Sequence, residues 1–451
     1  MDFWLLLVVA SGAATTSSVV NSGDMNADVS AYFLESFKGA VPQCEAKTAG
    51  SSACIYVDNE GRIIHSRDLA KDAGSNKQML MDMFLRGVLS DLKLPKKWFS
   101  FWMAYSAAGP NRFENFPVMG FGKRDPSRQP GLLMPNPFFA TPSWWDKTQA
   151  QMMERSELRP WKDRTSRALF RGACGPGALP RFNLLSLEDE EHELDVGFTK
   201  VDGYETMKAC VQDLAQRKFL EDLKVFESPL KRKHHVYKKN ASPSLLENLP
   251  SDDNATLSRK AHLRNDVDRV LESRILEHVP QANFSHFKYL IHMAGSATGS
   301  YSRNLQYLWA HGSVVLIWDQ VAVEHYYQYL VPGLHYLPVN ESNVFDALRH
   351  LNGDPALQRR LRQGARSFAS TYISGDALTK RWAHVFEILD KRQSSISQDR
   401  SPPPQTACTC DADLLKNKVY AECGKCIITR LKGSKLNKFL GITPKTPPPP
   451  Q

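Results

Sequence analysis

Long hydrophobic runs are scarce in this chain of 451 residues. A transmembrane helix needs roughly 20 consecutive apolar residues, and the apolar run at 3–10 is much shorter. No later stretch reaches that length, so the sequence predicts no stable membrane span. Small residues follow the run at 11–14, which is typical of a cleaved signal peptide over residues 1–20. We therefore expect a protein of the secretory pathway, in the lumen of the endoplasmic reticulum or Golgi, or secreted.

Several nucleotide and metal signatures are also missing. No G-x-x-x-x-G-K-[ST] loop occurs, which argues against a nucleoside triphosphatase, and no histidine pair at metal spacing accompanies a glutamate. D-x-D sequences, which some metal-dependent enzymes place at a strand end, occur at 266–268 and 411–413. The first opens a predicted amphipathic helix and the second lies in a cysteine-rich tail. Both are interpreted as capping or surface charges, so we expect neither a metal nor another cofactor.

Cysteine is limited to eight residues, an even number. Cys44 and Cys54 are predicted to form a local disulfide. Cys174 and Cys210 either pair with each other, or Cys174 is a buried thiol. The tail contains the pattern C-x-C…C-x-x-C, formed by Cys408, Cys410, Cys423 and Cys426. This pattern fits a zinc knuckle or two disulfides, and an oxidising lumen favours disulfides.

The charge balance is basic, with a net charge of +9. Such a balance suggests anionic partners, but the stretch Lys231–Lys239 (KRKHHVYKK) supplies much of the excess. A solvated basic loop explains that stretch, and a nucleic-acid partner conflicts with the export signal. Four N-x-[ST] sequons support export, at Asn240, Asn254, Asn283 and Asn340. We expect no nucleic acid partner.

Alternating apolar and amphipathic segments predict an α/β fold. From residue 266 the predicted strands lie at 287–293, 313–318 and 334–339, and the predicted helices at 267–279, 302–312, 323–330, 355–372 and 376–391. Continuous apolar strands between helices are typical of a parallel sheet covered on both faces. Upstream, the pattern predicts a helix over 76–95, strands at 98–105 and 116–123, a packed proline–aromatic loop at 134–146, and a strand at 167–170.

A chain of this length favours two domains. We predict a signal peptide over 1–20, an N-terminal domain over 30–227 and a polar, basic linker over 228–265. A C-terminal domain over 266–392 and a Pro/Cys-rich tail over 393–451 complete the division.

The segment 286–316, HFKYLIHMAGSATGSYSRNLQYLWAHGSVVL, predicts an anion site. A strand ends near Met293, small residues form a compact loop at 295–300, and a helix begins near Ser302. Ligands of open α/β sheets bind where strands end and loops enter helices. Backbone N–H groups at the helix start and the Arg303 guanidinium are suited to phosphate oxygens.

These residues resemble a known family. The stretches FKYLI…G…SYSRNLQYLWAHGSVVL and EHYYQYLVPGLHYLPV resemble the C-terminal half of the lipopolysaccharide-modifying, capsule-associated glycosyltransferases, known as the CAP10 or Rumi-like family, which includes protein O-glucosyltransferases. PWKDRTSRALFRG and PVMGFGKRDPSRQPGLLMPNPFF resemble that family's upstream motifs. The resemblance covers about residues 85–390. It implies two Rossmann-like domains facing a cleft (the GT-B architecture), a UDP-sugar donor and inverting, metal-independent transfer to a protein or glycan acceptor.

The resemblance also implies site residues. Arg171 and Gly172 of the Phe-Arg-Gly motif, and Arg181 in the following loop, correspond to contacts with the donor nucleotide. Ser300, Ser302 and Arg303 correspond to the loop that holds the diphosphate, and Glu324 lies near the sugar or ribose. Glu324 could equally be a charge at a helix N-terminus. Ala173 stands where some members have a serine.

One expected residue is missing. The family's general base is an aspartate after the strand that follows the LP turn, but this sequence has Tyr105, Ser106 and Ala107 there, and no aspartate between Asp91 and Asp125. Glu114 and Asp125 are the substitutes considered, although each is more often a surface charge. The alternative is a non-catalytic lumenal protein that binds nucleotide sugars without transferring them.

Overall fold

A computed structural model describes the residues 26–39, 41, 52–57, 63–65, 81, 84–85, 87–89, 92, 99–104, 117–123, 131–175, 178–199, 204–222, 254–293, 295, 304–319 and 322–393. The predicted signal peptide, the basic stretch at 231–239 and the cysteine-rich tail lie outside these residues. No helix of the described residues is long and apolar enough to cross a membrane.

Helices and strands alternate along most of the described chain. The strands are β1 (Ser52–Val57), β2 (Ile63–His65), β3 (Phe99–Ala104), β4 (Val118–Gly120), β5 (Leu132–Leu133), β6 (Thr165–Gly172), β7 (Leu194–Thr199), β8 (Ile275–Leu276), β9 (Phe287–His292), β10 (Val314–Trp318) and β11 (Leu337–Val339). The helices are α1 (Ala27–Ser36), α2 (Pro142–Glu157), α3 (Leu179–Ser186), α4 (Tyr204–Asp222), α5 (Asn254–Ser273), α6 (Leu305–Leu308), α7 (Val344–Gly353), α8 (Pro355–Tyr372) and α9 (Gly375–Arg392).

Six strands form a parallel sheet in the order β11-β10-β9-β6-β7-β8. Two of its inner strands, β9 and β10, are apolar on both faces because helices and loops cover both. Leu290 and Val315, which are paired in register, face one core, and Tyr289 and Val314 face the other. This alternation is the period of two that strands impose, and it confirms the parallel sheet predicted from the sequence.

A second sheet has the order β2-β1-β3-β4-β5. Its strands β3, β4 and β5 are parallel, whereas β1 is antiparallel to β2 and β3. The predicted strands at 98–105 and 116–123 are confirmed as β3 and β4. In the described part of the predicted helix 76–95, Met81, Leu85 and Val88 are helical and buried, as its apolar stripe predicts.

The division predicted at residues 227 and 266 does not separate the two sheets. β6 and β7 precede residue 227, yet β6 pairs with β9 and β7 pairs with β8. The reason is that the apolar β6 is an inner strand of the parallel sheet and needs a neighbour on each side. Residues 254–265 of the predicted linker belong to helix α5.

The last helix returns to the N-terminal sheet. Arg381 forms a bidentate ion pair with Asp28 of α1, with distances of 2.9 and 2.6 Å. After α9 ends, the Gln393 amide exchanges two hydrogen bonds with the backbone of Ser100 in β3, at 2.7 and 2.6 Å. The two ends of the described chain are therefore held together by buried polar contacts.

Several local predictions are confirmed. Asp354 caps α8 by accepting hydrogen bonds from the N–H groups of Ala356 and Leu357, both at 2.9 Å. Cys174 and Cys210 form a disulfide. Cys54 is also disulfide-bonded, while Cys44, its predicted partner, lies outside the described residues.

Three predicted elements are corrected. The helix predicted over 323–330 is a turn followed by a short 3-10 helix at Tyr327–Tyr329. The backbone of Val323 instead forms a bridge with Lys123, which holds this segment extended. The helix predicted over 267–279 ends at Ser273, where the chain turns to add β8 to the sheet. The strand predicted at 167–170 is longer at both ends, because β6 spans Thr165–Gly172 and still includes Arg171 and Gly172.

Candidate functional site

The carboxyl ends of strands from both sheets meet at one buried hydrogen-bond network. Asn136 follows β5, Gln306 lies in α6 after β9, and Glu324 follows β10. The Asn136 amide Nδ2 donates to Gln306 Oε1 and to Glu324 Oε2, both at 2.9 Å. All three side chains are buried. The loops that follow strands in the two sheets are therefore joined at the side of the fold where α/β proteins bind ligands.

Glu324 is a buried carboxyl group with an altered proton affinity. It is only 2% exposed, and burial raises its pKa to about 8 although hydrogen bonds from Asn136 and Tyr326 favour the ionised form. The Tyr326 hydroxyl donates to Glu324 Oε1 at 3.2 Å. Perturbed carboxyl groups of this kind are typical of functional sites, although structural networks also produce them.

The chain around Glu324 is fixed from two directions. Val323 and Lys123 exchange backbone hydrogen bonds of 2.8 and 2.9 Å. Tyr326 is fully buried, and its ring lies 5.9 Å from that of Phe368 in α8. These contacts hold the Glu324 carboxyl group between the two sheets. A charged side chain at the surface would not require such contacts.

Arg181 connects the loops that follow β6 and β9. It lies in helix α3, not in the predicted loop, and donates to the carbonyl oxygens of Ala173 at 2.8 Å and Gly295 at 2.9 Å. Burial lowers its pKa to about 10, still above neutrality. The result is a buried positive charge at the carboxyl end of the parallel sheet.

His292, the last residue of β9, shares this environment. Its Nε2 lies 3.1 Å from the Tyr327 hydroxyl, and its Nδ1 has no hydrogen-bond partner among the described residues. Burial, and then the charge of Arg181, lower its pKa to about 3. His292 is therefore neutral at physiological pH and can accept or donate a hydrogen bond without adding charge.

Arg171 occupies a different environment from Arg181. Its guanidinium donates to the backbone oxygen of Asp195 in β7 at 2.6 Å and pairs with the Asp195 carboxylate at 2.5 Å. The charge of Arg171 is thus compensated inside the sheet. Gly172 has a clear steric role, since a Cβ there would lie 2.6 Å from Cζ of Phe170 and 3.2 Å from Nη1 of Arg181.

Five predicted site residues lie outside the described residues. They are Glu114, Asp125, Ser300, Ser302 and Arg303. The helix predicted after this loop is short, because only Leu305–Leu308 is α-helical before a 3-10 turn at Trp309–His311. Gly312 ends it in the left-handed conformation.

Three buried polar side chains of the site were missed in the sequence analysis. Asn136, Gln306 and His292 were not predicted. Asn136 stands between two prolines in MPNPFF, a loop setting in which an asparagine could have been considered as a polar anchor. Gln306 and His292 have no such local signal.

Metal ligation has no candidate in the described part of the chain. No group of three or more His, Cys, Asp or Glu side chains there is arranged to hold an ion. Asp266, of the first D-x-D sequence, lies within α5, 3.4 Å from Arg269 and 3.8 Å from Lys218. Its role there is that of a surface ion pair.

Comparison with known proteins identifies relatives of this chain. Residues 230–429 match Glycosyl transferase family 90. The chain is also similar to Protein O-glucosyltransferase 2 of Danio rerio, with 26% identity over 122 residues. This similarity covers 27% of the chain and 24% of that relative, so the chain matches about a quarter of the relative's length. The matches confirm the family resemblance described from the sequence.

Proposed function

From the match of residues 230–429 to Glycosyl transferase family 90, we propose that this protein is a glycosyltransferase. It moves a sugar from a UDP-sugar to a hydroxyl group of a protein or glycan, with inversion and without a metal. It acts in the lumen of the secretory pathway, and its two α/β units face a cleft as in the GT-B architecture.

One structural observation carries the proposal beyond the family match. Hydrogen bonds among Asn136, Gln306 and Glu324 join segments that follow strands of both sheets. A ligand at the carboxyl ends of the strands of one sheet would therefore lie next to the other sheet. A transferase needs this arrangement because donor and acceptor must meet. Arg181 supplies a buried cation between the loops after β6 and β9.

The reaction would proceed by direct displacement. The acceptor oxygen attacks the anomeric carbon, the bond from that carbon to the phosphate oxygen breaks, and UDP leaves with the electron pair. Negative charge grows on the leaving diphosphate, and fixed cations stabilise it most when they are already in position. We assign this role to Arg181 and Arg303, and contact with the sugar or ribose to Glu324. Arg171 would support the strand next to the diphosphate through its pair with Asp195.

The acceptor hydroxyl must lose its proton to a base. Glu114 and Asp125 are the candidates, and separate substitution by Gln and Asn tests them. A base variant should lose turnover while keeping UDP affinity, since the base contacts the acceptor and not the nucleotide.

The decisive experiment combines calorimetry with UDP and an assay of UDP release from a panel of UDP-sugars, with and without EDTA. We expect UDP to bind the wild-type protein and to lose most of its affinity for Arg303→Ala. Arg349→Ala, an exposed arginine on α7, is the control and should keep wild-type affinity. Unchanged UDP affinity in Arg303→Ala would contradict the assignment of the 295–303 loop.

The transferase and the non-catalytic alternative differ in whether the protein turns over a UDP-sugar. Release of UDP that depends on an acceptor and persists in EDTA supports the transferase. UDP binding with neither transfer nor hydrolysis of any UDP-sugar supports the non-catalytic alternative.

A further inference from the structure

The amino-terminal edge of the parallel sheet carries a cluster of guanidinium groups far from the site above. Arg164 donates to the carbonyl oxygen of His311 at 2.9 Å, and Arg362 donates through Nε to that of Gly312 at 2.8 Å. A Cβ on Gly312 would lie 2.9 Å from Nη2 of Arg366. Three arginines from two separate parts of the chain therefore converge on the turn that precedes β10.

Ser156, at the end of α2, joins the same cluster. Its hydroxyl accepts a hydrogen bond from Arg366 at 2.8 Å, and its carbonyl oxygen accepts one from Arg164 at 2.6 Å. These partners are neutral. They satisfy some of the guanidinium N–H groups but leave the positive charge uncompensated.

Carboxylates contribute little to this cluster. Glu157 lies 3.6 Å from Arg366 Nη1, and its side chain is 67% exposed, so water screens the pair. No other carboxylate of the described residues lies within ion-pair distance of Arg164, Arg362 or Arg366. Burial, and then the charges of Arg362, Arg366 and Arg159, lower the pKa of Arg164 to about 10. Burial is the larger cause of this shift, and the neighbouring positive charges add to it.

Several hydrogen-bond donors of the cluster are unused. Arg362 lies with Cζ 4.1 Å above the Trp161 ring, and its two terminal nitrogens make no hydrogen bond to the described residues. Arg366 Nε is buried and has no hydrogen-bond partner in the part of the chain that the structure describes. Arg155 lies near the same turn, because burial and then the charges of Arg164 and Arg155 lower the pKa of His311 there. Arg155 is exposed and forms neither a hydrogen bond nor an ion pair with the described part of the chain.

We propose that Arg155, Arg362 and Arg366 form a binding site for a tetrahedral oxyanion, a sulfate or phosphate group. Planar guanidinium groups present paired donors that match the oxygens of such anions. Arg164 and Ser156 fix the turn and the helix end that hold the site. The site is distinct from the proposed donor site, because the six residues of β9 separate the two edges of the sheet by about 20 Å.

The anion has two sources, which share this chemistry. It is a free ion, or it is an ester on a larger molecule such as a sulfated oligosaccharide. The inference rests on the arginine cluster alone and holds whether or not the protein transfers sugars.

Calorimetry at low ionic strength tests the site, with inorganic sulfate, inorganic phosphate and a heparin-derived hexasaccharide as separate probes. Sodium chloride of matched ionic strength gives the background. We expect sulfate and phosphate to bind the wild-type protein, and Arg362→Gln/Arg366→Gln to weaken binding roughly tenfold or more, as expected for lost charge-assisted hydrogen bonds. Arg155→Gln, which breaks no described contact, should weaken binding by a smaller factor without affecting folding.

The matched control is Arg360→Gln/Arg349→Gln. Arg360 lies on α8 and donates through Nε to the carbonyl oxygen of Gly333, as Arg362 does to that of Gly312. The control therefore removes the same charge and the same type of bond. It should keep wild-type anion affinity, and circular dichroism of every variant reports whether the fold is intact.

Each outcome has a defined meaning. Hexasaccharide binding at least tenfold tighter than sulfate, and lost in the double variant, identifies an ester on a larger molecule. Equal affinities identify a free ion. No binding above the chloride background, or equal weakening in the control, would overturn the proposal. An oligoglutamate peptide that binds as tightly as the hexasaccharide and responds to the same substitutions would also overturn it, in favour of an acidic polypeptide partner.

Discussion

Asn136 and Glu324 lie 188 positions apart in the chain, yet the amide of one donates a 2.9 Å hydrogen bond to the buried carboxyl group of the other. The same amide donates to Gln306, and its oxygen accepts from the Phe138 N–H at 3.0 Å. One side chain therefore connects the loop after β5 to helix α6, which follows β9, and to the segment after β10. The stability and the chemistry of the candidate site both depend on this connection.

Asn136→Ala should destabilise the protein by about 3 kcal/mol, because it leaves buried polar groups of Gln306 and Glu324 without their donor. Asn183→Ala is the control, since Asn183 also donates to a carboxylate, that of Glu341, but at the surface. The control should cost less than about 1 kcal/mol. Urea denaturation measures both free energies of unfolding. Equal losses of stability would show that the buried hydrogen bonds stabilise the protein no more than the surface hydrogen bond does.

Glu324→Gln should alter how stability depends on pH. In the unfolded chain the carboxyl group ionises near 4.5, whereas in the folded protein its pKa is about 8. Between these values the folded state holds a proton that the unfolded state has released, so rising pH favours unfolding. The wild type should therefore lose up to about 1.4 kcal/mol per pH unit relative to Glu324→Gln.

Denaturation of both proteins at pH 5, 6, 7 and 8 checks this prediction. The stability difference should grow in favour of the variant over this range. Parallel stability curves would mean that Glu324 is already ionised in the folded protein at pH 5.

Gly172→Ala should reduce the free energy of UDP binding by more than it reduces the free energy of unfolding. The added methyl group would contact Phe170 and displace the Arg181 guanidinium, the buried cation of the candidate site. Gly175→Ala is the matched control in the same loop, because a Cβ there meets no atom within 4 Å. Calorimetry with UDP and a thermal melt of each variant separate the effects. Equal UDP affinity in the two variants would argue against a role for Arg181 in donor binding.

The disulfide between Cys174 and Cys210 closes a loop of 36 residues. It lies directly after the Phe-Arg-Gly motif and attaches that loop to helix α4. Replacing both cysteines by alanine should lower stability by about 3–4 kcal/mol, chiefly by increasing the freedom of the unfolded chain. Guanidinium chloride denaturation without reductant checks this value while the disulfide of Cys54 stays intact. A loss below about 1 kcal/mol would mean that the loop is held by packing alone.

Strands β6, β9, β10 and β11 of the parallel sheet could be predicted because their signals are local, whereas β7 was not predicted and β8 was assigned to a helix. The run VVLIW of β10 is apolar at every position, and Asp354-Pro355 carries its own capping signal for α8. Residues 323–330 misled the prediction because their sequence suits a helix, while the backbone pairing of Val323 with Lys123 and the burial of Glu324 impose an extended turn. Tertiary contacts of this kind leave no periodic pattern in the sequence.

The candidate site was predictable only where a motif marked it. Arg181 and Glu324 were found through the family resemblance and lie at the carboxyl edge of the sheet. Asn136 and Gln306 were missed because their hydrogen-bond partners are distant in sequence. For the same reason, the sequence alone could not reveal that Asp195 compensates the charge of Arg171.

Helix α9 has a consequence for the order in which the newly made chain can fold. Its Trp382 and Phe386 rings pack 5.6 and 6.4 Å from Phe101 of β3, and Arg381 holds Asp28 of α1. During synthesis, β3 therefore leaves the ribosome long before the helix that covers it. We expect the five-stranded sheet that contains β3 to stay uncovered until nearly 400 residues have been translated, and a chain that stops before residue 375 would lack the helix that covers this sheet.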